Sequence, residues 1–198
     1  DECTSGFRET FGGIHKKYNI NPDLAIFGKA LGNGYAITAV VGKREVMEHA
    51  QNTFISSTFW TEKIGSAAAL ATLDEMESIK SWKIIDKIGK DIKKTWLEIA
   101  KLKNISIEVF GLNALSQFKI HSKKFNAYKT LITQEMLKNN ILATDTFYVS
   151  IKHNQTILEK YYENLEKVFD LIQKCENGKN ISSVLKSPES IMGLPRLN

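Results

Sequence analysis

Two short apolar runs flanking a lysine in glycine-rich sequence constrain this chain most. Leu24-Ala25-Ile26-Phe27 follows Pro22-Asp23 and stops at Gly28-Lys29. The run Ala36-Ile37-Thr38-Ala39-Val40-Val41 begins after Gly32 and Gly34 and stops at Gly42. Runs of this length, apolar on both faces, are expected to be neighbouring buried strands of an α/β sheet. Ala30 to Tyr35 between them is expected to be a loop. Ligand sites in α/β sheets lie at the carboxyl ends of strands, which is where Lys29 falls.

The rest of the chain supports a mixed fold. Residues 1 to 22 read as loop and turn, and residues 43 to 50 as a short helix. From Glu62 to Lys80, Ile64, Ala67, Ala68, Ala71 and Met76 recur at helical spacing, with Thr61 as the expected cap. Ser81 to Lys103 is a second amphipathic helix, with Ile84, Ile85, Ile88, Ile92, Trp96, Ile99 and Ala100 on one stripe. The pattern changes near Asn104. Ile105, Ile107 and Val109 alternate with polar residues, as in a strand with one wet face. Strands are also expected near Leu115 to Ile120 and at Phe147 to Ile151, with a helix from Phe125 to Lys138. Thr156 and Glu159 match a capping box that opens a helix running to about Cys175. The division expected is residues 1–80, part of a large sheet domain with its connecting helix, then 81–176, a small α+β domain. A loosely ordered tail, 177–198, carries Gly178, Pro188 and Pro195.

Composition removes several classes. The 198 residues are 42% hydrophobic and 25% charged, ordinary values for a water-soluble globular chain. No apolar run reaches eighteen residues, so no membrane helix is expected. The net charge of +5 comes from scattered lysines without an arginine-rich stripe, which argues against nucleic acid binding. Cys3 and Cys175 make no disulfide framework; free thiols in a reducing cytoplasm are the preferred reading. His15, His49, His121 and His153 lack metal-ligand spacing, so no metal site is expected. The chain opens Asp-Glu-Cys-Thr without an initiator Met, which leads us to expect sequence upstream.

Three positions could carry chemistry. Lys29 is either an ordinary loop lysine or an amine able to add to an aldehyde, with Gly28, Gly32 and Gly34 letting a ligand approach the backbone. The order Gly-x-x-x-x-Gly-Lys-Ser/Thr is absent, so this is not a nucleotide phosphate loop. Asp1 and Glu2 are either a solvated acidic pair or part of a site. Thr58 is either a turn residue or a hydroxyl beside a helix N-terminus that helps to hold a phosphate.

Taken in order, these motifs resemble the class III aminotransferases, the ornithine-aminotransferase and glutamate-1-semialdehyde-aminomutase group of fold type I pyridoxal-phosphate enzymes. Asp1-Glu2 with Thr4-Ser5-Gly6-Phe7-Arg8 resembles the family's Asp-Glu-Val-x-Thr-Gly-Phe-Arg stretch. Pro22-Asp23-Leu24 and Gly28-Lys29-Ala30-Leu31-Gly32-Asn33-Gly34 look like its lysine motif. Gly42-Lys43-Arg44-Glu45-Val46-Met47 resembles the strand end and helix that follow. Thr58-Phe59 and Ala67-Ala68-Ala69-Leu70-Ala71-Thr72-Leu73 resemble its threonine and alanine-rich helix. The resemblance implies an α/β chain that is part of the large domain of a fold type I transferase, followed by a small α+β C-terminal domain.

It also implies pyridoxal 5′-phosphate as cofactor, held as a Schiff base on Lys29. Asp1 would pair with the pyridine nitrogen, and Thr58 would reach the phosphate of a neighbouring subunit, implying a homodimer. The small domain would cover the substrate. The reaction implied is amino transfer between an amino compound and an aldehyde or keto acid, in the cytoplasm. An intramolecular aminomutase reaction is the nearest alternative, toward which Gly6-Phe7-Arg8 and Gly12-Gly13 lean; a noncatalytic truncated subunit is another. Two departures stand out. Thr61-Glu62-Lys63 replaces the family's Gly-Asn-Pro, a different start to the helix that bears on the substrate side of the pocket. Ser57 also stands where glycine is expected before Thr58. The resemblance places the strand leading into Asp1, a second phosphate-binding loop and an aromatic residue over the cofactor ring upstream. A chain beginning at Asp1 is therefore expected to expose apolar sheet surface and to be inactive alone.

Overall fold

The computed structural model describes residues 1–191. The chain divides into two compact units, Asp1–Asp86 and Lys87–Asn198.

In the first unit, a run of turns over residues 3–12 and a 3-10 turn at Ile14–Tyr18 precede β1 (Leu24–Phe27). A second 3-10 turn, Lys29–Leu31, follows it, and then β2 (Ala39–Gly42) pairs antiparallel with β1, Leu24 opposite Gly42 and Phe27 opposite Ala39. The short α1 (Arg44–Met47) runs into a 3-10 turn, and α2 (Ile64–Ile79) and the first residues of α3 (Ser81–Leu102) complete the unit. The core is Ala25, Phe27, Leu31 and Ala69, with Phe7, Ile37, Ala39 and Leu73 packed against it. Small residues let these pieces approach. A Cβ on Gly65 would come within 2.7 Å of Ala36 O, and one on Gly6 within 2.7 Å of the Phe27 ring.

The expectation of strands buried on both faces needs correction. β1 alternates, with Ala25 and Phe27 buried but Leu24 44% and Ile26 39% exposed; Val40 and Val41 on β2 are exposed too. Among the described residues this sheet has two strands, and the core covers one of its faces. The other face carries the apolar side chains that make both runs read as doubly buried. β2 also starts three residues later than its apolar run.

The capping of α2 differs as well. Thr61 does not cap it. The Glu62 carboxylate accepts from the N–H groups of Ile64 (2.5 Å) and Gly65 (3.2 Å), because its longer side chain reaches the free donors of the first turn.

The second unit contains most of α3, then an antiparallel sheet of order β3-β4-β5 (Ile107–Phe110, Leu115–Ile120, Thr146–Tyr148), with α4 (Phe125–Leu137) and α5 (Gln155–Glu176). The central strand β4 buries Leu115, Phe118 and Ile120. Trp96, Tyr128, Leu131, Ile132, Leu165, Val168, Phe169 and Ile172 are shut off from solvent by the alternation and helical spacing of their elements. The buried Trp96 indole N–H donates to the Tyr161 hydroxyl at 3.0 Å.

Strand β5 is shorter than expected. The Ser150 N–H donates to His153 Nδ1 and the His153 N–H to Ser150 O, both at 3.0 Å, turning the chain away from the sheet. The cap of α5 is Asn154, whose side chain accepts from Ile157 N at 3.0 Å, rather than Thr156. Past α5, a 3-10 turn at Ile181–Ser183 and hydrogen bonds from Lys186 N to Gln134 and from Ser190 Oγ to Asn126 O attach the chain to α4. The remainder of the segment expected to be loosely ordered, 192–198 with Pro195, lies outside the described residues.

Candidate functional site

Lys29 is the first residue beyond the buried end of β1 and Gly28. Its φ of 45° lies in the left-handed region, which costs an ordinary residue about 1–2 kcal/mol. Hydrogen bonds from Gly32 N (3.2 Å) and Asn33 N (3.1 Å) to the Lys29 carbonyl hold it there. Gly32 is required by close approach, since a Cβ there would overlap the Tyr35 carbonyl oxygen. The side chain is exposed, and Nζ donates to Thr4 Oγ1.

Thr4 belongs to the segment that opens the chain. Glu2 N donates to Ile26 O at 2.8 Å, laying residues 1–2 alongside β1. Asp1 is exposed, and its Oδ1 accepts from Cys3 N at 2.8 Å. The structure therefore brings Asp1 and Lys29 into adjacent segments linked by the Thr4 contact. Thr58 sits elsewhere, exposed in a turn before α2 and without a hydrogen bond among the described residues.

Glu2, read from the sequence only as half of an acidic pair, is not solvated, and its partners were missed. Only 8% exposed, its carboxylate accepts from the N–H groups of Ile14 and His15 (3.0 Å to the latter) and lies 2.6 Å from His15 Nδ1. Burial alone would raise its pKa. The two backbone donors and the His15 ring outweigh burial and hold it below the ordinary carboxylate value. Gly12 (φ 119°) and Gly13 turn the chain to bring this about; a Cβ on Gly13 would stand 2.7 Å from Glu2 Oε1. That glycine pair ahead of His15 was the available signal.

The donor set suits pyridoxal phosphate. An exposed primary amine stands at a strand end, and an exposed carboxylate lies on the neighbouring segment. Neither makes an ion pair among the described residues.

Comparison with known proteins gives the family and the fold. The sequence profile of the family described as aminotransferase class-III matches residues 1–167, and the chain belongs to that family. The 3-aminobutyryl-CoA aminotransferase of Cloacimonas acidaminovorans is 30% identical over 183 residues, 88% of this chain and 44% of that protein. The glutamate-1-semialdehyde 2,1-aminomutase of Methanocaldococcus jannaschii is 29% identical over 187 residues, 86% of this chain and 44% of that protein. The fold matches that of FumI from Sphingopyxis sp. MTA144, solved in its PLP internal aldimine form, with a TM-score of 0.82 at 18% identity over 93% of this chain and 45% of that one. A phospholyase from Arthrobacter in complex with phosphoethanolamine gives 0.73 at 25% identity, covering 85% of this chain and 44% of that one. The chain thus spans a little under half the length of these relatives. Its mixed helix and sheet fold is that of fold type I pyridoxal-phosphate-dependent transaminases.

Proposed function

We propose that the protein carrying this chain is a pyridoxal-phosphate-dependent aminotransferase that moves an amino group between an amino compound and an aldehyde or keto acid. Lys29 is the residue to which the cofactor attaches. The observation that carries this reading is the position of Lys29: a lysine held at positive φ just past a strand end, its amine tied to the segment that begins with Asp1. When bound, pyridoxal phosphate supplies an electron sink for charge at the substrate α-carbon. Asp1 keeps its carboxylate in place through Oδ1, leaving Oδ2 to maintain a proton on a ring nitrogen. Lys29 Nζ serves as covalent anchor and then carries the proton at the substrate carbon. Thr58, exposed and without a hydrogen bond among the described residues, is assigned to the phosphate of a neighbouring subunit in a homodimer. Among the described residues no helix is long and apolar enough to cross a membrane, and a cytoplasmic location belongs to the same proposal.

The test is borohydride reduction of the whole protein with saturating cofactor, followed by digestion and mass spectrometry. A pyridoxyl adduct on the Lys29 peptide is expected; an adduct elsewhere, or none, refutes the assignment. Similarity to the aminomutase favours a second reading, intramolecular amino transfer with the same residues. Return of an isomeric amino compound, instead of release of a keto acid or aldehyde, would select it.

A further inference from the structure

We infer that Thr4 is a positioning residue for the Lys29 amine: its hydroxyl holds Nζ whenever Lys29 is not bonded to the cofactor. The inference rests on the assignment of Lys29 made above and extends it to a side chain that the family motif leaves open, the unspecified position of its Asp-Glu-Val-x-Thr stretch.

The contact joins residues twenty-five positions apart, donor Nζ of Lys29 and acceptor Oγ1 of Thr4. A lysine side chain has four rotatable bonds and, exposed to water, no reason to settle in one place. Lys29 is exposed and makes no ion pair among the described residues, so Thr4 is the group that localises its amine. Thr4 itself is well anchored. The Arg8 guanidinium donates through Nε to the Thr4 carbonyl at 2.6 Å. Cys3 N is held by Asp1 Oδ1, Gly6 N donates to Glu2 O at 2.8 Å, and Glu2 N is fixed to Ile26 O on β1. Thr4 is partly buried, and β-branching restricts its χ1. The acceptor is thus built onto the same strand that delivers the donor.

A hydroxyl suits this task where a carboxylate or an apolar group would not. It accepts from an ammonium and donates to the lone pair of a neutral amine, so it holds Nζ in either protonation state. A group that collects a proton from carbon and returns it passes through both states. A carboxylate would favour the ammonium alone; a methyl would hold neither. Thr4 is therefore placed to keep the released amine within reach of the reacting carbon, with the proton transfer itself left to Lys29.

The test compares Thr4→Val, nearly isosteric but without the hydroxyl, and Thr4→Ser, which keeps it, in the whole protein. With cofactor removed, trace acetylation with acetic anhydride is read by mass spectrometry at Lys29 relative to the well-exposed Lys94. Loss of one hydrogen bond should raise relative labelling of Lys29 by roughly two- to twelvefold in Thr4→Val, with Thr4→Ser close to wild type. After reloading with pyridoxal phosphate, single-turnover reaction with an α-deuterated amino donor should show a slower step and a larger isotope effect in Thr4→Val, again restored by serine. Equal labelling in all three proteins, or serine behaving like valine, overturns the inference. Should Thr4→Val fail to fold by circular dichroism, Thr4→Ala takes its place with the same outcomes. Borohydride reduction of the same samples separates the two claims. An adduct away from Lys29 defeats the functional assignment, whereas a Lys29 adduct with equal labelling defeats only the role of Thr4.

Discussion

Replacing Glu2 with Ala should release the loop that carries Ile14 and His15 without unfolding the rest of the protein. The Glu2 carboxylate accepts from two backbone N–H groups and sits against the His15 ring, with a longer contact of 3.4 Å from Ser5 Oγ. Each hydrogen bond to a charged acceptor contributes about 1.5–3 kcal/mol. Residues 14 and 15 are half-buried, so water would replace part of what is lost, and a net local cost of about 2–4 kcal/mol follows. In amide hydrogen exchange this is an acceleration of roughly 30- to 1,000-fold at Ile14 and His15, up to the limit set by global opening. The backbone bond from Glu2 N to Ile26 O survives the substitution, so amides of β1 should change little. The pH dependence has a definite sign. A carboxylate whose folded pKa is depressed contributes stability that is complete above its unfolded value, near 4.5, and is lost as pH falls through the lower folded value. Protection at His15 should therefore fall off below pH 4.5 in the wild type and be flat through that range in Glu2→Ala. Unchanged exchange at residues 14–15 in the variant, or the same acid dependence in both proteins, would refute the reasoning.

Two further substitutions test the second unit. Gly89→Ala lies inside α3, where alanine ordinarily favours a helix by about 1 kcal/mol. Here the new Cβ would overlap the Asn113 carbonyl and stand 3.0 Å from Asn113 Cα, so a net loss of about 1–3 kcal/mol is expected as a lower urea midpoint; a higher midpoint would disprove the close approach. Leu165→Ala removes a side chain with no solvent exposure from α5 and should cost about 2–5 kcal/mol, with the slope of the denaturation curve unchanged; a cost below 1 kcal/mol would show that the core collapses around the gap.

What could be read from the sequence was what repeats at short range. The apolar stripe expected of α3 is buried from Ile92 through Trp96 to Ile99 and Ala100, because helical spacing is a local property, whereas Ile84 at its start is exposed and Ile85 and Ile88 are half-buried. The Leu115–Ile120 strand keeps its expected bounds because alternation is equally local. Caps were read less well. At both helix starts a side chain near the expected one, Glu62 for Thr61 and Asn154 for Thr156, reaches the free N–H groups instead. Composition near a helix start indicates that a cap exists; the backbone path into the first turn decides which residue supplies it. Burial of β1 and β2 was misjudged for another reason. Apolar residues on both faces record what a strand is suited to touch, not what covers it among the residues described.

The site divides along the same line. The position of Lys29 past a strand end was legible because a strand end followed by glycines is a local pattern. The Glu2–His15 and Thr4–Lys29 contacts are not local, spanning thirteen and twenty-five residues, and each depends on turns that a sequence marks only by scattered glycines. The backbone at Lys29 bears on why they matter. Glycine would adopt its φ of 45° without penalty, yet the position carries a long amine. Strain of this kind persists where surrounding contacts over-determine it. Here those contacts are the two hydrogen bonds to the Lys29 carbonyl, the tight turn at Gly32 and the hold of Thr4 on Nζ. Loosening the amine at Thr4 should therefore alter where Nζ spends its time before it alters the turn, which is why the labelling of Lys29 and the stability of the unit are separable measurements.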